Sequence, residues 1–234
     1  RGEGALRPHT NRRNHSFIWM IPALIFLGSW GDLNAPEAAA REAYWGEHRI
    51  ELSGLSEEQI AILEATLNQL KELSPGDLKI DKKVYRRLSR FEALYGFPFS
   101  GPELLRWILS RVKSISHYNS RTAAINQNNG EFFVGDLFFT KTSALERLYT
   151  LIHEARHSDD DGYEHIKCPK GFPFVSSRQP EMNLEREPAC DGTDRGAYSF
   201  QAAFLFELYA CGLMDPEEAG LLYNSSIARV ISKH

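Results

Sequence analysis

The chain has 234 residues, with 27 basic and 31 acidic side chains, a formal net charge of −4 and 42% hydrophobic residues. That balance lacks the basic footprint nucleic-acid binding requires, so no nucleic-acid partner is expected. Residues 41–234 suffice for one compact domain with a real core and are short for two.

Arg1, Arg7, Arg12 and Arg13 precede the apolar stretch from Phe17 to Trp30, with no acid between Glu3 and Asp32. Residues 1–40 read as a signal peptide or N-terminal anchor, with Ala38-Ala39-Ala40 as an A-x-A cleavage site. The apolar run is short for a membrane span and Pro22 interrupts it. A membrane is therefore expected as a partner only through this segment, and the protein is expected to be exported.

Ser56-Glu57-Glu58-Gln59 is a capping box that opens a helix running to about Leu73, with Ile60, Leu63, Leu67 and Leu70 as its apolar stripe. Ser74-Pro75-Gly76 ends it. A second helix is expected from about Lys83 to Tyr95, stopped by Gly96. Arg86, Arg87 and Arg90 on it read as a solvated face. A third begins at Ser100-Gly101-Pro102-Glu103 and runs to Val112. Residues 41–112 thus read as a helical lobe, and 113–234 as the region that carries the chemistry.

A short β region is expected between about Lys113 and Phe139. Ala123-Ala124-Ile125-Asn126 and Glu131-Phe132-Phe133-Val134 flank Gln127-Asn128-Asn129-Gly130, a hairpin signal in which Asn-Gly supplies positive φ. Ser143-Ala144-Leu145-Glu146 is a further capping box. Leu145, Leu148, Tyr149, Ile152 and Ala155 then recur at helical spacing up to a stop near Ser158. This helix carries His153-Glu154-Ala155-Arg156-His157. Side chains four apart lie one above the other on a helix, so both imidazoles can reach a single metal ion. Glu154 on the adjacent flank can take a proton from a water the metal activates. Charged Arg156 must either point to solvent or pair with a carboxylate.

On this H-E-x-x-H helix and the hairpin before it, the stretch from about Ala123 to Tyr198 resembles the zincin metallopeptidases. The resemblance implies an edge strand that holds the substrate backbone, a zinc ion and peptide-bond hydrolysis, with Glu154 as general base. A catalytic zinc site also needs a third protein ligand. The resemblance supplies none cleanly. Gly162-Tyr163-Glu164-His165 is a G-x-x-H set two residues beyond its place in metzincins. Gly192-Thr193-Asp194-Arg195-Gly196-Ala197-Tyr198-Ser199 approximates the aspartate-type pattern with Asp194 one place early. A glutamate-type zincin uses an acid on the next helix, whereas Glu185, Glu187, Asp191 and Asp194 all precede it.

A long loop is expected from Asp159 to Asp194. Asp159-Asp160-Asp161-Gly162 within it lacks the spaced acids and terminal Glu of a calcium-binding EF-hand. Of the three cysteines, Cys168 and Cys190 lie in loop-like sequence and are the natural disulfide pair in an oxidising compartment, whereas Cys211 reads as a buried core thiol. A 168–190 bridge brings Asp191 toward His165. One of these is then the third ligand and the other orients a ligand imidazole: His165 is preferred, Asp191 is the alternate. Tyr198, or less favourably Tyr163, is the candidate donor to a developing oxyanion. A strongly apolar helix is expected from Tyr198 to Cys211, closed by Gly212, and a last helix is capped by Asp215-Pro216.

The expected fold is α+β: mostly helical, with a small, mainly antiparallel sheet beside the H-E-x-x-H helix. The expected function is an exported zinc metallopeptidase acting on protein or peptide, cell-wall peptides included. The alternative is a non-catalytic, metal-binding exported domain.

Overall fold

The structure, a computed structural model, describes residues 40–118, 123–126, 128–159, 164–171 and 183–231. The N-terminal signal or anchor segment, Gln127 and Tyr163 lie outside the described residues.

The domain opens with a hairpin that the helical reading of residues 41–112 does not anticipate. Strand β1 (Arg41–Trp45) pairs antiparallel with β2 (His48–Ser53) across a tight turn at Gly46, whose φ is 66°. Only alternate residues of β2 are buried: Ile50 and Leu52 face the core while Glu51 faces solvent. Helix α1 (Glu57–Glu72) follows with the full capping box, Ser56 and Gln59 each bonding the other's backbone amide. It buries Ile60, Leu63, Leu67 and Leu70.

The expected helix from Lys83 to Tyr95 is instead two: α2 (Lys82–Leu88), which buries no residue, and α3 (Phe91–Tyr95), with Ser89 and Arg90 breaking the run. Gly96 ends α3 in the left-handed region. Helix α4 (Gly101–Leu109) starts against the end of α1. A Cβ on Gly101 would sit 2.2 Å from the Leu70 carbonyl oxygen, so only glycine allows this approach.

Strands β3 (Ser114–Tyr118), β4 (Ala124–Asn126) and β5 (Glu131–Gly135) join β1 and β2 in one five-stranded sheet of order β1-β2-β3-β5-β4. The sheet is mixed, not mainly antiparallel. β2–β3 and β3–β5 are parallel, while β1–β2 and β4–β5 are antiparallel. The β2–β3 pairing is parallel because helices α1–α4 form a long crossover that returns the chain in the same direction, and β3–β5 is parallel because the intervening β4 pairs antiparallel on the far side of β5. In the β4–β5 turn, positive φ falls on Asn128 and Gly130 rather than on the adjacent Asn129 and Gly130. The β region ends earlier than expected, because Asp136–Thr140 forms helix α5.

Helix α6 (Ala144–His157) keeps its expected bounds and capping box. Two short strands, β6 (Ile166–Lys167) and β7 (Pro188–Cys190), form an antiparallel ribbon within the expected long loop. Helix α7 (Ala197–Cys211) is buried on every face except at Tyr198 and Tyr209, and Gly212 closes it at φ 66°. A helix apolar all round must sit inside the core, and α7 lies between α6 and α8 (Pro216–Ile227). Its Phe200, Phe204 and Leu208 share a single core with Leu148, Ile152 and Ala155 of α6 and with Phe132 and Val134 of the sheet. Cys211 is a buried free thiol. Among the described residues, no helix is long and apolar enough to cross a membrane.

Candidate metal centre

Leu148, Ile152 and Ala155 of α6 are wholly buried. Their packing fixes the rotation of the helix and points His153 and His157, four residues apart, to one side of that apolar face. Both imidazoles are buried, and His157 Nε2 lies 3.3 Å from His153 Nε2. The β6–β7 ribbon supplies a third. His165 immediately precedes β6 and Asp191 immediately follows β7, while Ile166 pairs with Cys190. The Cys168–Cys190 disulfide staples this ribbon, with Cα atoms 5.2 Å apart. The ribbon carries His165 Nε2 to 3.0 Å from His153 Nε2.

Hydrogen bonds on the far sides of two rings fix which nitrogen is free. Ser226 Oγ donates to the Leu222 carbonyl (2.7 Å), so it accepts from Gln201 Nε2 (2.7 Å). Gln201 Oε1 is then left to accept from His153 Nδ1 at 3.0 Å. An Asp191 carboxylate can only accept, so His165 Nδ1, 3.2 Å from Asp191 Oδ1, is also the protonated nitrogen. The Nε2 atoms of His153 and His165 therefore face each other with lone pairs and cannot hydrogen-bond to one another. A shared cation resolves that conflict. Ligand nitrogens at the usual zinc distance in a tetrahedron are separated by about 3.3 Å, close to the two separations found. His153, His157 and His165 could thus hold a metal ion, and they are the one such cluster of His, Cys, Asp and Glu among the described residues. Burial, reinforced by the neighbouring His157 and His165, holds the His153 pKa well below its ordinary value, which keeps it in the neutral form a ligand needs.

Of the two candidates for third ligand, His165 therefore faces the centre and Asp191 orients it. Asp191 is 2% exposed and does a second job. Its Oδ2 accepts from the backbone amides of Tyr198 (2.8 Å) and Ser199 (3.2 Å), satisfying the open first turn of α7. Gly196 makes this possible, because a Cβ there would lie 2.3 Å from Asp191 Cγ. Asp194, by contrast, pairs with Arg90 at the surface (2.8 Å). Glu185 and Glu187 do not join the cluster either.

Glu154 is buried beside the histidines. Its Oε2 accepts from the backbone amide of Asn126 on the edge strand β4 at 2.9 Å, and its Oε1 makes no hydrogen bond among the described residues. Burial raises its pKa to about 8, against the opposing effect of that amide. The Asn126 side chain donates to the Glu154 carbonyl (2.7 Å), binding β4 to α6. Arg156 meets the expectation of a carboxylate partner: it is buried and pairs with Asp159. Its Nε donates to the Arg195 carbonyl (2.9 Å), and its guanidinium covers the Phe200 ring at 4.4 Å. Arg111 reaches the same Asp159 at 2.7 Å.

The Tyr198 ring packs against His153 (4.6 Å between centroids) and His165 (4.8 Å), and its hydroxyl meets Arg229 Nη1. Burial raises the Tyr198 pKa, and Arg229 opposes that rise.

Sequence reasoning missed Gln201, Ser226 and Arg229. Gln201 left a signal, an amide inside an otherwise apolar helix, where an unpartnered polar group is costly. Ser226 and Arg229 left none, because they reach the site from a helix end remote in sequence. Comparison with family models, with curated proteins and with solved structures finds no match.

Proposed function

We propose that this protein is an exported zinc metallopeptidase. The observation that carries the reading is the convergence of three imidazole Nε2 atoms, two of them fixed as free lone pairs by Gln201 and Asp191, beside a buried glutamate. A set of three histidines suits zinc and leaves a coordination position open. Zinc held there would lower the pKa of a water molecule and polarise a carbonyl. Glu154 is the general base: its Oε1 is free to take a proton, while Asn126 holds Oε2. Edge strand β4, next to Glu154, is where an extended peptide would pair, so the substrate is a protein or peptide, cell-wall peptides included. Tyr198 is the donor to the developing oxyanion. The disulfide supports an oxidising, exported setting.

One observation favours the alternative of a metal-binding domain without catalysis: half of the Glu154 carboxylate is committed to Asn126. Elemental analysis together with Glu154→Gln separates the two. The peptidase reading expects one zinc per chain in both proteins, and a loss of hydrolysis of casein or stem peptides of about 100-fold or more in the variant. Unchanged hydrolysis in the variant removes Glu154 from the chemistry. A wild-type protein that chelation destabilises, but that cleaves nothing, is the non-catalytic domain.

A further inference from the structure

We propose that Arg229 is a positioning residue that makes the Tyr198 phenol a hydrogen-bond donor beside the histidine cluster, an inference that rests on the hydrolytic reading above. A guanidinium carries N–H donors and no acceptor. The Tyr198 oxygen therefore accepts from Arg229 Nη1 and must give its own proton elsewhere. The ring packs against the Arg229 guanidinium, 4.7 Å from its centroid, and against the imidazoles of His153 and His165.

The backbone around Arg229 is held by the same residue that orients His165. The Asp191 amide donates to the Arg229 carbonyl (2.8 Å), and the Ile231 amide donates to the Asp191 carbonyl (2.9 Å). Asp191 thus sets His165, the Tyr198 backbone and Arg229 in one frame.

Stability alone gives a poor account of this arginine. Its Nε is buried without a hydrogen-bond partner, an arrangement that costs free energy. Among the described residues no carboxylate pairs with it. A cation that no carboxylate among the described residues neutralises, held against a phenol, favours negative charge beside that phenol, and an oxygen gaining charge during amide hydrolysis is such a charge. Its chemistry is that of a tetrahedral oxyanion, which methylphosphonate mimics without side-chain selectivity.

The test is a double-mutant cycle on the full chain loaded with cobalt in place of zinc, with methylphosphonate binding read from the visible spectrum. Arg229→Met and Tyr198→Phe should each weaken binding about tenfold, the scale of one charge-assisted hydrogen bond. The double variant should lose no more than either single one. Peptide hydrolysis by the zinc forms should fall in kcat with little change in KM, and metal affinity should stay constant. Arg229→Lys, which keeps charge and donor, should restore part of the affinity, and Arg229→Gln, which removes the charge, replaces the methionine variant in the cycle if that one does not fold. Losses that multiply, or an Arg229→Met protein with a lower Tm and unchanged affinity, overturn the proposal. Wild-type protein that binds methylphosphonate with this coupling but cleaves no peptide overturns the peptidase reading and leaves the Arg229–Tyr198 arrangement standing. Wild-type protein that binds none overturns the arrangement.

Discussion

Replacing Asp191 with Asn tests the centre at its most connected residue. The carboxylate accepts on both sides, from His165 Nδ1 at 3.2 Å and from the amides of Tyr198 and Ser199 at 2.8 and 3.2 Å. A carboxamide has one accepting oxygen and one donating nitrogen, so it can serve only one side. If the oxygen stays with the helix, the NH2 group confronts His165 Nδ1. The imidazole must then move its proton to Nε2 and can no longer ligate through that atom. Loss of such an orienting partner costs about 10–100-fold in metal affinity, or about 1.4–2.8 kcal/mol. If the oxygen turns to His165, the first turn of α7 faces a donor, and losing a cap costs about 0.5–2 kcal/mol. Removal of the negative charge from a helix N-terminus adds up to about 1 kcal/mol in either case. Competition with a chromophoric chelator measures zinc affinity, and thermal unfolding in excess chelator measures the metal-free fold. The expected result is zinc binding weakened by at least about tenfold if the oxygen stays with the helix, or a metal-free Tm lower by about 3–6 °C with affinity largely kept if it turns to His165. Wild-type zinc affinity together with an unchanged metal-free Tm would refute the assignment of Asp191 as the residue that both orients His165 and caps α7.

Gly196→Ala should act through the same carboxylate, since its Cβ would fall 2.3 Å from Asp191 Cγ; zinc affinity should drop although no ligand is altered, and an unaffected chelator competition counts against the close approach. Removing the Cys168–Cys190 bridge, which spans a sequence separation of 22, should cost about 3 kcal/mol by loop-entropy scaling; Cys168→Ala/Cys190→Ala measured by denaturant unfolding should also show weaker zinc binding, and equal stability and affinity would mean the ribbon holds itself. Glu207 is 1% exposed, and burial raises its pKa despite hydrogen bonds from Ser89 and Tyr85. In the pH window from its unfolded value near 4.5 up to its raised folded value, the native state holds the extra proton. Stability should therefore decline as pH rises through that window and level off above it. Glu207→Gln should remove this part of the slope; a wild-type-minus-variant difference that stays flat across the window contradicts it.

The sequence by itself determined the parts that depend on neighbours within a turn or two. The Ser56 and Ser143 capping boxes, the α6 stripe, the apolar α7 and the Gly212 stop are all set by short-range hydrogen bonding and periodicity, and each stands where the pattern places it. His153, Glu154 and His157 were legible for the same reason, because helical spacing alone puts them together. The pairing of Cys168 with Cys190 narrowed the third ligand to His165 or Asp191.

Tertiary structure decided the rest. The choice between those two depended on which side of the β6–β7 ribbon faces α6 and on the capping demand of α7, neither of which a local window contains. The parallel β2–β3 pairing brings together strands separated by four helices, so the mixed sheet could not be read from hydrophobic alternation. Gln201, Ser226 and Arg229 matter only because α7 and α8 pack beside α6. Local hydrogen bonds write their signature into adjacent residues, whereas orientation of the ligands is a property of surfaces that meet only after the chain has collapsed around a common core.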